Sequence, residues 1–357
     1  MKQTWIKMLA GLSAVGMMSV TFAEQTVRPA GRFVQDIRVR GRVQTQFGYS
    51  DVSNDEGSSD YSTFEVRRAR IGLRGNFENN FRAEVEANVV PGSAVSVRSA
   101  YVQWREHKPA YIKVGYDKPI TSLEENTSSA SILTVERSLV SNTIAAPGET
   151  NGILLEGDLG TLYYGLGLFT AEDNTNSANE SVEYMYNAMI GVNLDGALGE
   201  GSKLKIQGSY LASDDENSNA SFEEIYVIGF HFAQGGFGLR AEYMLGDNDG
   251  TETSGFYIMP SLMLSEKLQG VVRYEMSESD SDTGLRAASR YARRVDILEE
   301  GAAQRGDEHW ALYLGLNYYL NGDGNKLMFG VEVAELDNTS AGTLESTSVY
   351  GAWRMLF

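Results

Sequence analysis

Two stretches near the start of the chain carry arginine at alternate positions, and this residue type at this spacing is suited to anion chemistry. The arginines are Arg38, Arg40, Arg42, Arg68, Arg70 and Arg74. A guanidinium group stays charged, and its fork of N–H donors matches the shape of a carboxylate or a phosphate. A row of such groups in a narrow passage would attract anions and partly replace their hydration shell. We therefore treat the two rows as candidate anion-attracting sites.

The arginine rows need strands that point them in one direction. From Arg68 to Arg74 the intervening residues include Ala69, Ile71 and Leu73, and a period of two indicates a strand with one polar and one apolar face. On a soluble sheet the apolar face would meet a core. In a closed transmembrane barrel it would meet lipid, and the arginines would line a wet interior. The alternation recurs along most of the chain, which favours the barrel.

The alternation divides into an even number of segments, as bacterial outer-membrane barrels require. Sixteen strands are predicted, over residues 34–49, 62–77, 80–90, 94–106, 110–116, 151–158, 161–171, 183–194, 202–212, 222–233, 236–246, 253–264, 267–277, 308–320, 326–336 and 347–357. The longer polar connections are predicted at 50–61, 117–150, 172–182, 213–221, 247–252, 278–307 and 337–346. They alternate with short turns, and this sorting is typical of long extracellular loops and short periplasmic turns. The prediction is an all-β fold, a 16-stranded antiparallel transmembrane barrel.

The two ends of the chain fit this interpretation. Two lysines precede an apolar stretch from Met8 to Phe22, and Ala23 follows as the expected cleavage position. This pattern predicts a secretory signal peptide over residues 1–23, with a retained membrane anchor as the alternative. Residues 24–357 would then form the barrel, and the last strand must pair with the first because lipid does not tolerate an open sheet edge. The chain has no cysteine, so the exported fold needs no disulfide bond.

Charge is distributed unevenly along the chain. The formal net charge is −18. Through residue 120 there are 17 Lys and Arg against 12 Asp and Glu, whereas the remainder has 13 against 36. Basic residues lie in the strand-like stretches and acidic residues in the polar runs between them. The overall acidic balance therefore says little about the charge of the inner wall.

A series of motifs begins in the predicted fifth strand and continues into the connection after it. They are Tyr111-Ile-Lys-Val-Gly115, Asp117-Lys118-Pro119, Thr127-Ser128-Ser129 and Val135-Glu136-Arg137-Ser138. These motifs, together with the Phe64–Gly75 stretch, resemble the phosphate-selective porin O/P family. The resemblance implies a sixteen-stranded outer-membrane barrel, usually trimeric, whose third loop folds inward. Residues 117–150 would be that constriction loop.

These considerations give two sets of candidate site residues. Lys113 joins the two arginine rows as a predicted pore-lining, anion-attracting residue. The constriction-loop candidates implied by the resemblance are Lys118, Glu124, Ser128, Ser129, Glu136 and Arg137. The loop carries four glutamates against Lys118 and Arg137, so we expect a weak to moderate anion preference and no specificity for phosphate. The alternative is that the arginines only pair with luminal carboxylates, namely Glu84, Glu86, Glu242, Glu275 and Glu332.

Other basic residues extend the predicted lumen. Further candidates for its wall are Arg82, Arg105, Lys203, Lys205, Arg240, Arg273 and Arg354. Five more arginines fall in the connection 278–307, around a helix-like stretch from 287 to 300, namely Arg286, Arg290, Arg293, Arg294 and Arg305. They could collect anions at the mouth, or they could belong to a helix that faces solvent or lipid headgroups.

No motif supports catalysis. The three histidines lack a neighbouring nucleophile or ligand pattern, and the acidic loop runs lack the glycine of an EF-hand. We therefore expect no catalytic residue, metal, cofactor or nucleic-acid partner. The predicted function is a porin of the bacterial outer membrane that passes small hydrophilic solutes with a weak anion preference. Expected partners are membrane lipid, lipopolysaccharide and, by the resemblance, two further copies in a homotrimer. A soluble exported β-rich binding protein is the alternative.

Overall fold

The computed structural model describes residues 25–27, 33–55, 57–171, 183–213, 220–295, 305–339 and 342–357. The predicted signal peptide lies outside the described residues. Within them, sixteen strands form one closed antiparallel sheet, and the short strand Gln25–Val27 pairs with the first of them. None of the described helices is long and apolar enough to cross a membrane.

The barrel strands are numbered here in chain order. They are β1 (Val34–Asn54), β2 (Gly57–Phe77), β3 (Phe81–Asn88), β4 (Ser96–His107), β5 (Ala110–Asp117), β6 (Thr150–Asp158), β7 (Leu162–Thr170), β8 (Tyr184–Asn193), β9 (Lys203–Ser213), β10 (Glu224–Gln234), β11 (Phe237–Asn248), β12 (Thr251–Met263), β13 (Leu268–Ser279), β14 (Glu308–Asn321), β15 (Asn325–Asn338) and β16 (Gly342–Leu356). Each strand pairs with the next, and β16 pairs with β1. The predicted sixteen-stranded barrel is confirmed, with strand bounds close to those expected.

The C-terminal residue completes the closure. The Gly41 N–H donates to the Phe357 carbonyl at 2.7 Å, and the Phe357 N–H donates to the Gly41 carbonyl at 3.0 Å. The Phe357 ring lies so close to Gly41 that a Cβ at that position would overlap it. Glycine on β1 therefore makes room for the terminal aromatic ring.

Two of the predicted long connections are wrong. Residues 50–61 continue as the ends of β1 and β2, and buried Val52 there packs with Leu336 and Leu344. Residues 247–252 form a hairpin between β11 and β12, whose turn residues Asp249 and Gly250 have φ of 48° and 83°. Positive φ at both positions is the signature of a two-residue type I′ turn. In both places cross-strand pairing outweighs the turn preference of Ser, Asp and Gly.

The two faces of the sheet differ as the alternation predicts. Large apolar side chains such as Leu73, Leu314 and Phe329 are exposed on the outer face. Polar side chains such as Gln44 and Glu275 are buried on the inner face. An apolar exterior around a polar interior is the arrangement of a membrane barrel, the inverse of a soluble one.

The connection from β5 to β6, residues 118–149, is called the inner loop because it folds into the barrel. It contains α1 (Leu123–Asn126) and α2 (Leu139–Ile144). Each helix is capped by a serine, since Ser122 Oγ accepts from the Glu125 N–H at 2.9 Å and Ser138 Oγ from the Ser141 N–H at 3.1 Å. The apolar side of α2 packs on the inner wall, in a cluster that includes Val140, Ile144, Leu154, Phe169, Met244 and Tyr257.

The connection from β13 to β14, residues 280–307, is called the late loop. Four of its residues are buried together with Val52 at the end of the barrel that carries the long loops, namely Leu285, Ala287, Ala292 and Val295. The helix-like stretch predicted from 287 to 300 is, in its described part, only the 3-10 turn Ala292–Arg294. Residues 285–286 instead pair with 305–306 as a short two-stranded ladder.

Candidate functional site

Strands β1 and β2 bring the two arginine rows side by side on the inner face. In their antiparallel ladder, Arg38 lies opposite Arg74 and Arg42 lies opposite Arg70. Like charges opposite each other on paired strands repel and destabilise the sheet. The arrangement therefore requires carboxylates near the guanidinium groups.

The neighbouring strand β3 supplies these carboxylates. The ion pairs are Glu84 with Arg40 (3.3 Å) and Arg74 (2.5 Å), and Glu86 with Arg42 (3.4 Å) and Arg70 (3.2 Å). The alternative interpretation was thus right about Glu84 and Glu86 as partners. Each carboxylate is shared by two arginines, however, so positive charge remains in excess along this part of the wall.

A β-bulge turns both Arg67 and Arg68 toward the inner loop. The register of β1 and β2 shifts at Gln44, which pairs with Arg68, and Arg67 is the extra residue. Arg67 Nε lies 2.7 Å from Glu136 Oε1, and Arg68 Nη2 lies 3.8 Å from Glu136 Oε2. Burial alone would raise the pKa of Glu136, but the two guanidinium groups hold that pKa far below its usual range. Glu136 is therefore a fixed negative charge.

The two remaining pore-lining candidates lie at the edges of the rows. Arg38 Nε is 3.2 Å from Asp36 Oδ1. Lys113 Nζ is 3.1 Å from Asp117 Oδ2 and 3.6 Å from Glu156 Oε2. Because two carboxylates share this single ammonium group, Lys113 is the least suited of the candidates to attract an anion.

The inner loop meets the arginine rows through its paired serines. Arg42 Nη1 donates to Ser128 Oγ at 3.3 Å and to Ser129 Oγ at 2.9 Å. The Ser129 carbonyl accepts from Gln44 Nε2 at 3.2 Å. These contacts place the Ser128–Ser129 pair against β1, in the middle of the first arginine row.

Lys118 and Arg137 converge on one carboxylate of the inner loop. Lys118 Nζ is 3.2 Å from Glu125 Oε2, and Arg137 Nε is 3.2 Å from Glu125 Oε1. Burial, together with the neighbouring charge of Arg137, lowers the pKa of Lys118 in spite of Glu125. The charge of Arg98 on β4 also lowers the pKa of Lys118, and Arg98 forms an ion pair with Glu149 at the end of the loop. Sequence analysis missed Arg98 because the predicted strand 94–106 has the least regular alternation.

Glu124 joins the two halves of the inner loop and is not exposed to the lumen. Its Oε2 accepts from the Ser138 N–H at 3.1 Å and from the Ser138 hydroxyl at 2.5 Å. The residue is buried. Glu124 therefore shapes the constriction loop from within.

Carboxylates on strands β11 and β13 of the inner wall bind the first N–H groups of the two helices in the inner loop. Glu242 on β11 accepts the N–H groups of Leu123 at 2.6 Å and Glu124 at 2.8 Å. Glu275 on β13 accepts the Leu139 N–H at 2.8 Å. These N–H groups have no partner within their helices, so the wall satisfies donors that would otherwise be orphaned.

Two arginines of the inner wall, one on β16 beside β1 and one on β13, fasten the middle of the loop. Arg354 on β16 donates to carbonyls of the inner loop at Ser129 (2.9 Å), Ile132 (3.5 Å), Thr134 (3.4 Å) and Val135 (2.5 Å). Arg273 on β13 donates to the Glu136 carbonyl at 3.0 Å and to Glu332 at 3.0 Å. Both were predicted as lumen-facing, and both do face inward, but they bind the loop rather than water.

The open side of the lumen lies along the early strands. Arg38 and Arg40 keep 40% and 34% of their side-chain surface exposed, whereas Arg273 and Arg354 keep 2% and 1%. The apolar cluster of the inner loop packs against β6 to β13, although a cavity lined by Leu133, Lys203 and Arg240 remains there. A passing solute would therefore meet Arg38 and Arg40, whose side chains stay accessible beside the inner loop.

A metal site has no support in the described ranges. No group of three or more His, Asp or Glu side chains there is arranged to hold a metal ion. Of the three histidines, His309 is buried on β14 with neither ring nitrogen hydrogen-bonded.

Comparison with known proteins gives a family and a set of folds. The model of the family described as phosphate-selective porin O and P matches residues 37–235. No curated protein matches the chain.

Solved structures of outer-membrane proteins share the fold. The outer membrane channel DcaP of Acinetobacter baumannii is 13% identical with a TM-score of 0.59, covering 93% of this chain and 99% of that one. OmpF of Salmonella typhi, in complex with daunomycin, is 14% identical with a TM-score of 0.62, covering 93% and 100%. OmpT of Vibrio cholerae in its trimer form is 10% identical with a TM-score of 0.54, covering 90% and 99%.

Proposed function

The chain belongs to the phosphate-selective porin O and P family, and from that premise we propose that it passes small hydrophilic solutes by passive diffusion, with a weak preference for anions. The protein is located in the bacterial outer membrane, where it is a channel protein with a closed barrel. The solute class and the anion preference are the proposed part.

The observation that carries the proposal is the sharing of carboxylates on the open wall. Four arginines of β1 and β2 contact two glutamates of β3, so a formal charge of two remains uncompensated beside the passage. Exposed acidic groups on the loops lie farther from a permeating ion and are screened within about 8–10 Å at physiological ionic strength. The local field of the wall is thus expected to outweigh the net charge of −18 on the whole chain.

The proposal is tested by single-channel recording in planar bilayers. Purified protein should insert from detergent and conduct, and in a salt gradient its reversal potential should have the sign of a weak anion preference. A protein that stays soluble without detergent and gives no conductance would contradict the channel, and would favour the alternative of an exported binding protein. A conducting protein with clear cation preference would contradict only the selectivity.

The outer surface supports a homotrimer as part of the proposal. Exposed aromatic residues that suit the membrane interface are frequent on β8 to β13, as in Tyr184, Tyr226, Tyr243 and Tyr274. On β2 to β5 only Phe64 and Phe81 are exposed aromatic residues among the large apolar side chains, and the others are aliphatic, such as Ile71, Leu73, Val85, Val97, Val102, Ile112 and Val114. A sparser aromatic belt is expected where subunits, rather than lipid, cover the wall. The remaining surface would contact lipid and lipopolysaccharide.

Cross-linking checks the subunit arrangement. Cysteine introduced in place of Val85 should be joined between subunits by a bifunctional maleimide reagent in native membranes and yield a cross-linked dimer on denaturing gels. Cysteine in place of Ile258 on β12, equally apolar and exposed, is the matched control and should not. Exclusively monomeric protein in both variants and after chemical cross-linking would argue against the trimer.

A further inference from the structure

The outer face of strands β6 to β9 carries an open groove with a volume of about 380 Å³. Ala188 on β8 forms its floor, between Leu166 on β7 and Tyr210 on β9, which lie opposite Ala188 in the two ladders. Asn187 binds the inner loop, so the next residue, Ala188, faces outward. The groove exists because a small residue stands between two large side chains.

The groove has an uncharged lining. None of the described lining residues is acidic or basic, and Ile153, Leu168 and Tyr186 extend the surface beyond Ala188 toward the long loops. All three of these side chains are exposed. In a barrel of the outer membrane, this part of the wall faces the hydrocarbon of the lipid and not water.

Tyrosine hydroxyls mark the depth of the groove in the membrane. The Tyr210 hydroxyl donates to Glu224 Oε1 at 2.7 Å, and the Tyr226 hydroxyl donates to Glu224 Oε2 at 2.8 Å. Glu224 lies opposite Ala212, which is one outward position closer to the long loops than Tyr210. Rings that face hydrocarbon, with hydroxyls turned toward water, are typical of the membrane interface. The groove therefore begins at the level where the acyl chains of the outer leaflet begin.

The shape of the groove fits a chain. Adjacent strands lie about 4.8 Å apart, so the four strands β6 to β9 span about 14 Å across the groove. The next outward position of β9 toward the short turns is Gly208, where an added Cβ would approach no described neighbour closer than 3.9 Å. Space therefore continues from Tyr210 toward the middle of the membrane, in the direction that an acyl chain takes.

The inner face of the same strands holds the inner loop. The Ile120 N–H donates to Asn187 Oδ1 at 3.1 Å, and Asn187 Nδ2 donates to the Ile120 carbonyl at 2.9 Å. Leu154 and Phe169, whose neighbours in the chain line the groove, belong to the apolar cluster that receives α2. Because the wall is a single sheet, consecutive residues contact the groove on one side and the inner loop on the other. A ligand in the groove thus packs directly behind the residues that hold the inner loop.

We propose that this groove binds one acyl chain of lipid A, the lipid part of lipopolysaccharide, and that the bound chain stabilises the inner loop. The groove lies on the half of the wall next to the long loops, in the leaflet that carries lipopolysaccharide. Lipid chains are as apolar as the groove, so selective retention depends on the dispersion contacts of a chain that fits the floor. Glu224 at the upper end would repel the phosphates of lipid A, so the site recognises the chain.

Filling the floor of the groove tests the binding. Ala188→Phe places a ring where the chain would lie, and should lower the amount of hexa-acylated lipid A that the purified protein retains by about tenfold, as measured by native mass spectrometry. Ala241→Phe adds the same ring at an outward alanine of β11, between Phe230 and Ile258, and should retain lipid A like the unaltered protein. Leu166→Ala removes one side of the groove and should weaken retention as well, which decides the matter if Ala188→Phe fails to assemble.

The chemistry of recognition has its own controls. Retention should survive EDTA and high salt, because ions do not screen an apolar contact. Loss of lipid A under either condition would show binding through cation-bridged phosphates and would overturn the acyl-chain site. Equal retention by Ala188→Phe and Ala241→Phe, or no retention by the unaltered protein, would overturn it too. Preferential retention of dimyristoyl phosphatidylethanolamine over lipid A would overturn the choice of occupant.

Single-channel recording tests the link to the inner loop. In bilayers with lipid A in one leaflet, the current through the unaltered protein and Ala241→Phe should be quieter than in phospholipid alone, whereas Ala188→Phe should be equally noisy in both. Equal noise of the unaltered protein in both bilayers, in spite of retained lipid A, would overturn the link. Unaltered protein that gave no conductance would refute the proposed channel function, while the retention measurements would still decide the groove.

Discussion

Replacing Arg68, Arg70 and Arg74 together by glutamine is expected to shift the reversal potential in a salt gradient strongly toward cations. The change removes three positive charges from β2, while the carboxylates that they share remain in place. A unit charge about 4 Å from a permeating ion is worth about 1 kcal/mol in water, so we expect the permeability ratio to change by roughly tenfold. Single-channel recording of the triple variant measures this directly.

Removing the negative charges that pair with these arginines provides the control, because it should shift the reversal potential in the opposite direction. Glu84→Gln together with Glu86→Gln leaves Arg40, Arg42, Arg70 and Arg74 without their shared partners, and should move the reversal potential toward anions. If the unaltered protein is already cation-selective and neither variant moves the potential, the arginine rows only solvate the wall. The protein would then be a general diffusion pore.

The second large effect is expected from Arg354→Met. This side chain donates to carbonyls at four positions of the inner loop. Hydrogen bonds to a charged group contribute about 1.5–3 kcal/mol each, so their joint loss should release the middle of the loop from β16. The barrel strands do not depend on these bonds. We expect a larger and noisier single-channel conductance, with folded, heat-modifiable protein retained.

Arg240→Met is the matched variant for this experiment. Arg240 on β11 also belongs to the inner wall and loses the same charge, but it makes none of the hydrogen bonds that hold the inner loop. Its conductance should stay near that of the unaltered protein. Equal conductance in Arg354→Met and Arg240→Met, with the inner loop equally resistant to added protease, would show that Arg354 does not hold the loop.

The sequence alone determined the fold class and the facing of most wall residues. A strand places successive side chains on opposite faces, so alternation such as Arg68-Ala69-Arg70-Ile71 can be interpreted without any knowledge of its neighbours. The same local rule identified the number of strands, and the intolerance of lipid for an open sheet edge required the last strand to pair with the first. The inward course of residues 117–150 was predicted from a family resemblance, whose motifs are also local in the chain.

Only the tertiary structure decided which charges remain uncompensated. The bulge that turns Arg67 inward depends on its register against β1, and the sharing of Glu84 and Glu86 depends on strands that lie side by side. The contacts that fix the two loops join residues 219 positions apart in Arg354 and Val135, and 245 apart in Tyr291 and Gln46. Periodicity carries no information about such pairs, because they arise only when closure of the barrel brings distant strands and loops into one lumen.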